Sequence, residues 1–185
     1  MLAPDYVEPT LGWRVWDVAE LDGRLRLRSP AFGTVWLPRR EVIALCRRSF
    51  PSLAAAGLGD HRAPHERCCC GIYAAGRAGQ AASYLTRLFA RRPGTLHRVI
   101  GRVSLWGLVV ECERGWRAAR AYPASIYVPS AGKRRLPSPV RLPRPLVPTE
   151  EIALALADYR VPVELIDCRT KQEAVELLEP SPSHP

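Results

Sequence analysis

Apolar residues alternate with polar ones over residues 12–38 and again over 96–128, and helical spacing is confined to shorter stretches between and after them. That pattern predicts an α+β fold: a small antiparallel β-rich domain, meander or barrel-like, with one long helix and a C-terminal α-β-α piece. At 185 residues the chain can bury one sizeable core without disulfides.

The first strands are expected from Trp13, Val15 and Val18, then Leu25 and Leu27, then Val35 and Leu37. Asp22-Gly23 is a hairpin signal between the first two, and Ser29-Pro30 with Gly33 marks the next turn. Glu41 to Arg48 has the spacing of a short helix, with Val42 and Leu45 on one face, before Pro51 interrupts it. Residues 57–70 show little periodicity and read as a loop. After the short apolar stretch Gly71-Ile72-Tyr73-Ala74, Ala75 to Arg92 repeats Ala81, Tyr84, Leu85 and Leu88 at helical spacing, with Arg87, Arg91 and Arg92 near the end that favours cations. Pro93-Gly94 ends it.

From His97 the chain turns β: His97–Trp106, Leu108–Glu113 and Trp116–Val128, with a bulge expected at Gly107 and a tight turn at Arg114-Gly115. Residues 129–148 hold six prolines and four arginines, the composition of an extended linker. Thr149 then caps a helix through Tyr159, followed by a strand at Val161–Ile166 and a helix at Thr170–Leu178. The expected organisation is a β-rich domain over 1–128, a Pro/Arg-rich linker over 129–148, and a helix-strand-helix extension with a frayed tail over 149–185.

The N-terminus carries no basic stretch followed by an apolar run, and no apolar run is long enough to span a bilayer, so a soluble cytoplasmic chain is expected. In that compartment six cysteines point to thiols or metal ligands rather than cystines. The net charge of +9 is uneven: residues 149–185 carry eight acidic and three basic side chains, net −5, which leaves +14 on residues 1–148. Such a body attracts polyanions, nucleic acid among them, and Lys133, Arg134, Arg135, Arg141 and Arg144 are the candidate contacts. The competing explanation is codon usage, since only Lys133 and Lys171 are lysines against 25 arginines.

The densest chemistry lies in His61-x3-His65-x2-Cys68-x-Cys70, with Cys69 inside it and Cys46 upstream. Zinc takes four soft or borderline ligands in a tetrahedron, and thiolates with imidazoles are its usual protein partners. Alternate side chains of an extended segment share a face, so Cys68 and Cys70 converge while Cys69 turns away. The expected ligand set is Cys46, His61, Cys68 and Cys70. Burial as small hydrophobes accounts for Cys112 and Cys168, but not for three consecutive cysteines beside two histidines. The rival reading of the cluster is an enzyme, with an open zinc site or a thiolate assisted by His61 or His65 and by Asp60 or Glu66.

Gly71-Ile72-Tyr73 matches half of the GIY-YIG nuclease motif, without the Tyr-Ile-Gly that should follow. Gly71, Gly76 and Gly79 are too irregular to cradle a phosphate. Trp13, Trp16, Trp36, Trp106, Trp116, Tyr122 and Tyr127 lie in the expected strands with Arg14, Arg102, Arg117 and Arg120 among them. They suit either a base-stacking platform or cross-strand packing.

His61-Arg-Ala-Pro64, Cys68-Cys-Cys70-Gly-Ile-Tyr-Ala74, Gly101-Arg-Val-Ser-Leu-Trp-Gly107 and Gly115-Trp-Arg-Ala-Ala-Arg-Ala-Tyr-Pro123 resemble the landmarks of a family of small uncharacterised bacterial proteins, frequent in actinobacteria. The resemblance covers most of residues 12–128 and the stretch ending Tyr159-Arg-Val-Pro-Val163. It implies that the middle position of the Cys-x-Cys pair is variable, which suits Cys69 as a bystander. The family brings no established activity. The function expected is a zinc-stabilised binding module, with nucleic acid or another protein as its partner; the alternative is an enzyme built on the same cluster.

Overall fold

Asp22 and Gly23 adopt φ of 49° and 70°, the left-handed pair that a two-residue hairpin turn requires. The turn folds β1 (Thr10–Leu21) back on β2 (Arg24–Arg28), in register from Leu21↔Arg24 to Asp17↔Arg28, and β3 (Val35–Trp36) adds beside Leu27. This is the expected meander. A computed structural model describes residues 8–46, 61–85, 92–130 and 146–179.

β1 is buried on both sides. Trp16 and Val18 enter one core with Trp36, Ile152, Leu156 and Tyr159, while Trp13 and Val15 enter a second with Ala78, Ala81, Leu85 and Ala174. Trp16 meets Trp36 edge-on at 5.5 Å. A sheet covered on both faces holds most of its aromatics as packing, and this is the role of Trp13, Trp16 and Trp36.

The sheet is organised by two long strands, β6 (Thr95–Cys112) and β7 (Gly115–Ser130), joined by a tight turn at Glu113-Arg114. β6 pairs with β1 along Leu105–Thr95 and with β7 from Ile100↔Tyr127 to Cys112↔Gly115. The register slips by one residue between Trp106 and Val109, around Gly107 at φ 74°, so the bulge expected at Gly107 lies inside one continuous strand.

The outer edge of β7 receives three segments end to end. β5 (Ile72–Ala75) pairs with Gly115–Ala118, β4 (Val42–Ile43) with Arg120–Ala121, and β8 (Val163–Asp167) runs parallel to Ile126–Ser130. β5 also reaches β1 through the single pair Trp13↔Ala75, so the eight-stranded sheet turns back on itself without forming a clean barrel.

Two helix expectations are corrected. The spacing of Glu41–Arg48 predicts a helix, but Val42 and Ile43 are β-branched and lie against an available edge of β7. They pair there, and the Ala44 N–H donates to Ala119 O at 2.7 Å. Residues 47 and 48 lie outside the described residues. The long helix over Ala75–Arg92 is not present either. β5 extends through Ala75, and α1 spans only Ala78–Ala82 before turns at Ser83–Leu85; residues 86–91 are outside the described set. The Arg92 guanidinium, assigned to a helix end, instead binds the carbonyls of Pro30 (3.2 Å) and Ala31 (2.6 Å).

The C-terminal α-β-α order is present: α2 (Thr149–Leu156) with a 3-10 turn at Ala157–Tyr159, β8, and α3 (Lys171–Leu178). Thr149 occupies the first turn of α2 after Pro148 rather than the cap itself. The cap of α3 is Thr170, which accepts the Glu173 N–H at 3.1 Å. Most of the proposed linker lies outside the described residues. Among the described residues, no helix is long and apolar enough to cross a membrane.

The C-terminal piece is tied to the meander by Tyr159. Its hydroxyl accepts the Leu27 N–H at 2.9 Å and donates to the Trp36 carbonyl, and burial pushes the phenol up to about 12. Tyr159→Phe leaves two buried backbone groups unsatisfied, so a loss of about 1–3 kcal/mol is expected in urea unfolding. The neutral phenol is favoured in the folded chain. Stability is therefore full below the ordinary tyrosine pKa of about 10 and falls as pH rises from there. That part of the alkaline decline should be missing in the Tyr159→Phe variant.

Candidate metal centre

β4 and β5 meet on one edge of β7, and this brings Cys46 to the Cys-x-Cys segment. Both short strands run antiparallel to β7, so Ala44, just past the downstream end of β4, lies beside Ala119, and the upstream end of β5, at Ile72, lies beside Ala118. Cys46 follows the first by two residues and Cys70 precedes the second by two. Sequence separation is large, but the two chain ends converge on neighbouring residues of one strand.

The turn from His65 to Gly71 then aims the side chains. Cys68 N–H donates to His65 O at 3.0 Å, and Gly71 takes φ 122°, a conformation open to glycine. A Cβ there would come within 3.0 Å of Pro64 Cβ and 3.1 Å of Arg117 Cβ. Tyr73 fixes the exposed middle of the turn, its hydroxyl donating to Cys69 O at 2.7 Å.

The ligand atoms of Cys46, His61, Cys68 and Cys70 all lie within 4.8 Å of one another. For tetrahedral zinc with Zn–S of about 2.3 Å and Zn–N of about 2.0 Å, the edges are about 3.8 Å between sulfurs and about 3.5 Å between sulfur and nitrogen. Cys46 Sγ and Cys68 Sγ are 3.8 Å apart, and Cys70 Sγ and His61 Nε2 are 3.4 Å apart. Donor type, number and spacing all fit a metal ion, and all six cysteines are free of disulfides.

The remaining residues of the cluster stand aside. Cys69 is exposed and stands outside the group of four. His65 is also exposed, its ring 4.6 Å from that of His61, and its Nδ1 accepts the Arg67 N–H at 3.3 Å. The thiols feel different surroundings. A hydrogen bond from the Cys70 backbone holds Cys68 below its usual pKa, whereas burial, reinforced by Cys68, pushes Cys70 up to about 11. Cys168 is fully buried in the second core, where burial pushes it up to about 12.

The sequence did not mark out Arg117 as part of this site. It lies on β7 opposite Val110, is almost wholly buried, and reaches under the turn. Its Nη1 donates to the carbonyls of Cys68, Cys70 (3.1 Å) and His65 (3.4 Å), while its Nε donates to Cys112 Sγ at 3.3 Å. Cys112 is thus half-buried with a specific partner rather than a core filler. In the sequence Arg117 stands out only as one of the arginines interleaved with the strand aromatics.

The other arginines of the supposed stacking face are also engaged. Arg14 donates to Tyr73 O and to Ser29 Oγ (3.0 Å) and lies 5.0 Å over the Trp36 ring; burial depresses its pKa to about 10. Arg102 covers Trp13 at 5.0 Å, and Arg120 pairs with Glu41 at 3.0 Å. Lys133, Arg134, Arg135, Arg141, Arg144 and Asp60 lie outside the described residues. Glu66 lines an open groove of about 660 Å³ with Pro64, His65, Leu108, Glu111 and Arg117.

No protein-family model, no curated protein and no solved structure matches this chain.

Under native conditions a maleimide should label Cys69 first and Cys168 only after denaturation, as mass spectrometry of digested protein would show. Native labelling of Cys168 ahead of Cys69 would contradict this arrangement of thiols.

Proposed function

We propose that this chain is a binding module whose sheet is stapled by one zinc ion held by Cys46, His61, Cys68 and Cys70. The observation that carries this reading is the convergence of three sulfurs and one imidazole nitrogen within 4.8 Å of one another, with the Cys46–Cys68 and Cys70–His61 pairs at the edge lengths of a zinc tetrahedron. Four protein ligands close the coordination shell. A catalytic zinc keeps one position for water or substrate, so the donor count favours a structural role over the enzyme alternative.

Structural zinc contributes directly to folding, because the ligand set exists only in the folded chain. In this fold it would hold β4, a two-residue strand, to the start of β5. Elemental analysis of the purified chain should find about one zinc per molecule. Cys69→Ser should retain it, whereas Cys46→Ser, Cys68→Ser and Cys70→Ser should lose it and unfold at lower temperature. Undiminished metal in the three ligand variants would sink the assignment.

The partner class that the charge supports is a polyanion. Residues 1–148 carry net +14, and nucleic acid is the polyanion such a surface most commonly meets. Binding to single-stranded and duplex DNA and RNA should weaken steeply as salt rises. Absence of binding at low salt would remove nucleic acid as the partner and leave another protein.

A further inference from the structure

We infer that Arg117 is a positioning residue of the metal centre, gripping the carbonyl side of the His65–Cys70 turn and supplying the positive charge that a three-thiolate site requires. The inference rests on the zinc reading above and deepens it.

Two independent observations meet at this side chain. The first is geometric. The ligands Cys68 and Cys70 lie on the same turn, and one nitrogen of Arg117 takes the carbonyls of both, with that of His65 as a third. A carbonyl held from below fixes the orientation of its peptide plane, and with it the direction in which the neighbouring Cβ–Sγ bonds leave the backbone. Gly71 lets the turn approach this closely, since a Cβ there would come within 3.1 Å of Arg117 Cβ.

The second observation is charge. Three thiolates, one neutral imidazole and a divalent ion sum to one negative charge, carried by the buried Cys68 together with the half-buried Cys46, His61 and Cys70. A buried charge needs a partner of opposite sign. Arg117 is a nearly fully buried cation, and among the described residues its acceptors are three carbonyls of the turn and the sulfur of Cys112, with no carboxylate among them. The anionic centre provides the opposite charge that this set of contacts lacks.

Lysine can replace only part of this function. An ammonium keeps the charge but not the planar fork that spans the turn and Cys112 together. Cys112 orients the far side of that fork, so its loss should be felt weakly at the metal.

The test uses the full chain with wild-type, Arg117→Met, Arg117→Lys and Cys112→Ser proteins. Zinc affinity is measured by competition with a chromophoric chelator, and the sulfur-to-cobalt absorption is recorded after replacement with Co(II). Arg117→Met should weaken zinc about 10- to 100-fold, the usual effect of losing an outer partner of a metal ligand. Arg117→Lys should recover part of this, and Cys112→Ser should change it least. The cobalt band should shift in both Arg117 variants.

Unfolding temperatures with and without chelator separate positioning from general stability. A positioning role shrinks the gain on metal binding, whereas a purely structural role lowers both states equally. Wild-type zinc affinity and an unchanged cobalt spectrum in both Arg117 variants would overturn the inference while leaving the zinc site standing. A wild-type chain that binds neither metal would overturn both.

Discussion

The interaction on which the rest of the structure depends is the β6–β7 ladder, because β7 is the common edge for every segment that builds the site. β6 holds one side of β7 and also carries β1, and through it the meander. The other side of β7 takes β5, β4 and β8 in succession. Short strands of two to five residues have little stability of their own. They persist here because a long, already paired strand offers them its free amides and carbonyls, and the side chains they bring are positioned as a result.

That dependence explains why a dispersed ligand set becomes local. Cys46 and Cys70 are separated by 23 residues of chain, yet Cys46 lies two residues after Ala44 and Cys70 two before Ile72, and Ala44 and Ile72 face the adjacent β7 residues Ala119 and Ala118. Arg117, one position away from this junction on the same strand, reaches the turn between them. The scaffold and the site are thus a single arrangement of hydrogen bonds, with β7 as its axis.

Much of this was legible in the sequence, for identifiable reasons. The Asp22-Gly23 turn, the two long β runs and the C-terminal α-β-α order rest on local chemistry, which a sequence displays. The four candidate ligands could be chosen because donor type and the alternation around Cys69 are local as well. Glu41–Arg48 and Ala75–Arg92 were misread where tertiary pairing overrode local spacing: an available edge at Arg120–Ala121 drew Val42 and Ile43 into a strand. Arg117 was hidden because its role depends on which turn packs beneath it. Nothing in the residues around it carries that information.

β4 and β5 can be regarded as two halves of one interrupted strand, lying nose to tail along β7 with an excursion of chain inserted between them. An ion coordinated across the interruption acts as a splint. Without it, two ladder residues must hold β4 by themselves, and the shorter half would peel first, taking Ile43 and Ala44 away from β7. With it, neither half can lift without breaking bonds to the other. Two fragile local openings become a single cooperative one, and the chemistry of the cluster is expressed as mechanical continuity along an edge of the sheet.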